Sequence, residues 1–152
     1  MLIKERKIWT PDNSCLLEYR ARAETGEIII GQDLWQELEN LNEDFHNDRY
    51  YYDTDDANLR MNFMERCVRL TKSPFYNKPM ILMLWQKAWI ETLYSFKMSE
   101  TTFDRFKKTI LLISRKNTKS ETSSGLALSE FIVGNDGADI CCSSNDDTQA
   151  SL

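Results

Sequence analysis

Four apolar residues in a row, Ile110-Leu111-Leu112-Ile113, run straight into the polar stretch Ser114-Arg115-Lys116-Asn117-Thr118-Lys119-Ser120. An apolar-periodic segment follows. This order constrains the fold more than any other feature of the chain. A short, continuous, β-rich run fits a strand buried on both faces. Lys107 to Ile113 is therefore expected as a strand and Ser114 to Thr118 as a loop. Lys119 to Val133 is expected as a helix carrying Leu126, Leu128, Phe131 and Ile132, ended by Gly134 and Gly137. Ala138 to Cys142 reads as a second short strand, and Ser144 or Asn145 suits the cap of a further helix. Strand, loop, helix and strand in that order is the signature of a parallel α/β fold. Two strands do not make a sufficient parallel sheet. The chain thus reads as stopping inside a fold.

The residues before Thr101 read mainly as helices. Ser14 to Glu24 forms a short one, stopped near Gly26. Gln32 to His46 places Leu34, Trp35, Leu38, Leu41 and Phe45 at helical spacing. Asp55 to Leu70 repeats the pattern with Leu59, Phe63, Cys67 and Leu70, and Thr54 suits its N-cap. Pro74 breaks the chain, and Pro79 suits the first turn of a helix reaching about Phe96. Its apolar face is Leu82, Trp85, Trp89 and Leu93. Two parts result: a mainly helical lead-in, 1–100, and an α/β segment, 101–152.

Composition excludes several classes. The chain has 152 residues, 41% hydrophobic and 28% charged, a soluble globular profile. A chain of about 150 residues buries roughly 70% of its unfolded surface, enough for a real core. No apolar run reaches the ~20 residues of a membrane helix, and the charged start, with Lys4, Glu5, Arg6 and Lys7, is no secretory signal. The net charge of −5 argues against a basic nucleic-acid coat. Acids dominate 31–56, read as a solvated helix face, and bases dominate 104–120. Cys15, Cys67, Cys141 and Cys142 show no C-x-x-C spacing, and His46 is the single histidine, so no usual zinc set can be written. Reduced thiols in a cytosolic protein are expected. His46 lies in the acidic stretch and reads as a surface residue rather than a triad member.

The polar stretch carries the chemistry. A phosphate-binding loop sits between a strand and a helix, where backbone N–H groups and the helix dipole meet an anion. A lysine reaches the outer phosphates and the next hydroxyl holds Mg²⁺. Lys119 and Ser120 occupy those two places. The glycine-rich pattern would put glycines at 113 and 118, where this chain has Ile113 and Thr118. Glycine serves there because the loop takes unusual φ values and approaches the ligand closely. Asn117 tolerates left-handed backbone and reads as a loop-shape residue.

The neighbourhood adds a resemblance. Pro74-Phe75-Tyr76-Asn77-Lys78-Pro79, then Leu82-Met83-Leu84-Trp85-Gln86, then Ile110 to Ser120, resembles the large subunit of tailed-phage terminases. The branch concerned has a phosphate loop reading R-K-N-x-K-[ST]. Ala138 to Ala150 is similar to that family's second strand and its Gln-Ala helix start. The resemblance runs from about Leu59 onward; residues 1–58 share only the helical character of the family's lead-in.

The resemblance implies a P-loop ATPase core begun but incomplete, binding ATP with Mg²⁺. Gln86, after Trp85, corresponds to the adenine-recognition element, and an amide offers the donor and acceptor that an adenine edge requires. Arg115, Lys116, Asn117, Thr118, Lys119 and Ser120 form the loop. Lys119 corresponds to the phosphate lysine, Ser120 to the Mg²⁺ hydroxyl, and Arg115 to a catalytic arginine acting on the γ-phosphate in cis. The implied partners are double-stranded phage DNA, the small terminase subunit and the portal, in the bacterial host cytoplasm. Thr118 and Leu84 depart from the family, which commonly has a small residue and a proline there. The family's later apolar strand ending in Asp-Glu has no counterpart after Ser120, and neither does its nuclease domain. This chain is therefore expected to hydrolyse ATP poorly and not to cut DNA. Unpaired strands are expected to promote self-association. Two other readings are a fragment of an unrelated P-loop NTPase or helicase, and a non-enzymatic helical interaction module.

Overall fold

The computed structural model describes residues 7–101, 103–114, 117–134, 137 and 139–141. Within them the chain is α/β in a modest sense, with five helices and one small antiparallel sheet.

Helix α1, Cys15–Glu24, starts at Ser14, whose hydroxyl accepts from the Leu17 N–H. Gly26 follows with φ +77, a left-handed turn that suits glycine. Helix α2, Gln32–Asp44, buries Leu38 and Leu41. Strand β1, Tyr50–Tyr52, comes next. Helix α3, Asp55–Cys67, begins after Thr54 with Asp55 and Asp56 in its first turn, where the helix dipole favours acids. Helix α4, Leu84–Ser95, runs directly into strand β2, Phe96–Met98. Helix α5, Lys119–Val133, ends on Gly134. The helices expected around 14–24, 32–46 and 119–133 are thus present.

Four expectations are corrected. The helix expected to reach Leu70 stops at Cys67, because Val68 turns extended and its C=O accepts from the Met80 N–H at 3.2 Å. The helix expected to start at Pro79 starts at Leu84 for the same reason: residues 68–70 and 78–80 pair across, with Leu70 N–H to Lys78 C=O at 2.9 Å. No strand forms over 107–113. Ile110 and Leu112 are 83% and 89% exposed, so the apolar run is not buried on both faces. A strand needs a partner ladder, and among the described residues none lies beside it. Asp139 to Cys141 also form no strand, and the rest of that expected element, with the 144–145 cap, lies outside the described residues. The sheet lies elsewhere. Strands β1 and β2 pair antiparallel, Tyr50 opposite Met98 and Tyr52 opposite Phe96.

Two apolar clusters flank α4. Ala57, Met61 and Met64 of α3 pack with Met80, Leu82 and Ile90, and Leu126 of α5 closes over them. Leu16, Leu38, Leu41 and Phe96 form the other, with Phe45, Tyr52 and Phe106 around it. The aromatic rings there meet mostly edge to face, as Tyr52 and Phe96 do at 4.7 Å between centroids.

Buried charge ties the elements together. Glu91, on α4, is 1% exposed. Its carboxylate accepts from the Ser14 and Tyr52 hydroxyls and from the N–H groups of Cys15, at 2.8 Å, and Leu16, at 3.4 Å. It therefore caps the positive end of α1 from a neighbouring helix. Arg60 of α3 reaches Glu130 of α5 at 2.7 Å and lies over the Tyr94 ring. Lys97 bridges Asp56 and Asp104 at 2.6 and 2.5 Å. Burial alone would lower its pKa, but hydrogen bonds to Asp104 and Asp56 outweigh that and raise it.

Candidate functional site

The head of α5 brings most of the expected site residues together. Thr118 immediately precedes the helix with φ 55 and ψ 21, left-handed backbone. This is a conformation a β-branched residue rarely takes, and it costs of order 1–3 kcal/mol. It falls at the position where the glycine-rich pattern has glycine. Lys119 and Ser120 are the first two residues of α5, and both are exposed. The first bond inside the helix runs from the Thr122 N–H to the Thr118 C=O at 2.8 Å. The N–H groups of Lys119, Ser120 and Glu121 precede it and have no partner within the helix. The Thr118 side chain does not cap them. They are the donors that an anion would meet, with the helix dipole behind them.

Among the described residues no carboxylate pairs with Lys119. Glu121 lies in the same first turn and approaches Lys72 at 3.9 Å. Its negative charge works against a phosphate there. Upstream, the Asn117 amide donates to the Ser114 hydroxyl at 2.6 Å, which draws the two ends of the loop together. Arg115 and Lys116, between them, lie outside the described residues.

Gln86 is 2% exposed, and every polar group of its side chain is engaged. Its Oε1 accepts from the Met83 N–H at 2.7 Å, closing the first turn of α4. Its Nε2 donates to the Thr122 hydroxyl at 2.7 Å and to the Thr118 hydroxyl at 3.1 Å. The orientation follows from chemistry, since a backbone N–H needs the oxygen end of the amide. The structure therefore brings Gln86 to the loop, but joins it to the threonines rather than leaving its edge open. Trp85 beside it is half-buried.

Thr122 is the residue that sequence reasoning missed. It is fully buried and sits one helical turn after Thr118, a spacing visible in the sequence. Gly125 was another. A Cβ there would stand 3.0 Å from Met64 Cε and 3.3 Å from Met80 Sδ, so its lack of a side chain lets α5 lie close on α3. A shallow concavity between α1 and α2, lined by Ala23, Ile28, Ile29, Ile30 and Trp35, includes none of the loop residues and no titratable group. No group of three metal-ligating side chains comes together among the described residues. The donor set at α5 nevertheless fits a phosphate, and the Ser120 hydroxyl is placed on the same exposed turn. No family model, curated protein or solved structure matches the chain.

Proposed function

We propose that the chain carries the helical lead-in and the phosphate-binding loop of a tailed-phage terminase large subunit, the ATP-driven motor that packages double-stranded DNA. One observation supports this most. Thr118 takes the left-handed conformation expected of a loop glycine, immediately before Lys119 and Ser120 at a helix start. In this reading Lys119 binds the outer phosphates of ATP, and Ser120 holds Mg²⁺ together with the phosphate oxygens. Arg115 acts on the γ-phosphate, Lys116 belongs to the nucleotide-binding loop, and Asn117 shapes it. Adenine recognition by Gln86 would require its bonds to Thr118 and Thr122 to exchange for the adenine edge; with those bonds kept, Gln86 serves the loop rather than the base. The small subunit, the portal and phage DNA are the proposed partners of the motor, in the host cytoplasm. No helix is long and apolar enough to cross a membrane among the described residues.

Thermal unfolding with MgATP tests the reading. A ligand at a hundred times its Kd stabilises by about 2.7 kcal/mol, which raises the Tm of a domain this size by roughly 5–10 °C. Lys119→Ala should abolish the rise while leaving the ligand-free Tm unchanged. Absence of any nucleotide effect in the wild type would instead favour the second reading, a helical interaction module. That reading draws its support from the amide of Gln86, which is wholly engaged within the chain.

A further inference from the structure

We infer that Gln86 is a positioning residue that holds Thr118 in its left-handed turn, doing for this loop what a glycine would do unaided. The nucleotide part of this inference rests on the phosphate-loop reading; the clamp itself does not. The two N–H groups of the Gln86 amide start two hydroxyl relays. One runs to the Thr122 hydroxyl at 2.7 Å, which donates in turn to the Thr118 C=O at 2.8 Å. The other runs to the Thr118 hydroxyl at 3.1 Å, which donates to the Asn117 C=O at 2.8 Å. Both relays end on the carbonyls that flank the strained φ of Thr118. The far end of the amide is pinned by the Met83 N–H at 2.7 Å, so the side chain cannot turn without breaking all three bonds. A strained residue persists where its surroundings over-determine it. Gln86 is 2% exposed and Thr122 fully buried, so water does not compete for the bond between them, whereas Thr118 and Asn117 are exposed. Thus α4 dictates the backbone that sets the direction of Lys119 and Ser120, although it contributes no residue to the loop.

A suppression experiment tests the clamp on the full chain. Gln86→Met removes the amide but keeps the length of the side chain. Thr118→Gly removes the strain that the amide restrains. Gln86→Met should lower Tm and weaken MgATP binding about tenfold, the equivalent of releasing one strained residue. In the Thr118→Gly background the same substitution should change both much less, and this suppression is what a merely structural glutamine would not show. An equal loss in both backgrounds overturns the inference. If Gln86→Met does not fold, Thr122 decides. Thr122→Val breaks one relay at nearly constant volume, and Thr122→Ser keeps the hydroxyl. Lower amide protection at position 122, whose N–H donates to the Thr118 C=O, in the valine variant alone supports the clamp, and equal protection in both overturns it. If MgATP binds no variant and not the wild type, the phosphate-loop reading fails, and the Tm comparison still decides the clamp.

Discussion

A buried carboxylate is among the costliest side chains to place, and Glu91 shows how the chain manages it. Two hydroxyls and two backbone N–H groups surround its oxygens, and all but Tyr52 belong to the start of α1. Glu91→Ala would strand buried donors on Ser14 and Tyr52, at a cost of about 3 kcal/mol. Chemical denaturation should show that loss; an unchanged midpoint would mean that α1 docks without Glu91. The same cluster sets an alkaline limit. Burial first, and then the charge of Glu91, push the Cys15 thiol up from 9.0 to about 12. Burial and Glu91 raise Tyr52 as well, and burial with Glu130 raises Tyr94 from 10.0 to about 12. Below pH 9 folded and unfolded chains both keep these protons. Above it the unfolded chain releases them first, so stability should fall as pH rises from 9 toward 12. Urea midpoints at about pH 7 and about pH 10.5 check this, and Cys15→Ala should flatten part of the slope.

At the scale of elements, α5 is the piece that must sit correctly, because it carries Lys119 and Ser120. Gly125 lets it approach α3, and the Arg60–Glu130 pair fastens its other end. Gly125→Leu should force the helices apart at a cost of roughly 1–3 kcal/mol. Gly125→Ala should be near neutral, because Met64 is flexible enough to yield and alanine gains about 1 kcal/mol in helix propensity. Denaturation of the two variants separates these outcomes. The helices were legible in the sequence because their signals are local: Ser14 before an apolar face, Gly26 after one, Gly134 at the end of α5. The pairing of Tyr50–Tyr52 with Phe96–Met98 was not, since three-residue strands leave almost no period and their partners lie far apart in sequence. The run at Ile110 misled for the opposite reason. Apolar character says that a segment prefers burial, but pairing decides whether a strand forms.

For the whole molecule, the loop's residue types were legible while its support was not. The pattern singled out Lys119 and Ser120, and the absence of glycine at 118 stood out as a departure. That Thr118 adopts a glycine-like backbone, held from α4 by Gln86 and from within α5 by Thr122, emerges only once the helices are packed. Exposed apolar side chains have a consequence at this scale as well. Ile110, Leu112, Phe131 and Ile132 are 83%, 89%, 68% and 56% exposed, and such surface favours association. The sedimentation coefficient should rise with concentration, and Ile110→Lys with Leu112→Lys should reduce that rise. A concentration-independent monomer would contradict it.

The most direct test is calorimetric titration of MgATP into the wild-type chain and into Lys119→Ala. One site per chain in the wild type, weakened at least tenfold in the variant, is the predicted result. Equal heats in the two proteins, or no binding to either, would contradict the assignment of Lys119 and Ser120 as a nucleotide phosphate site.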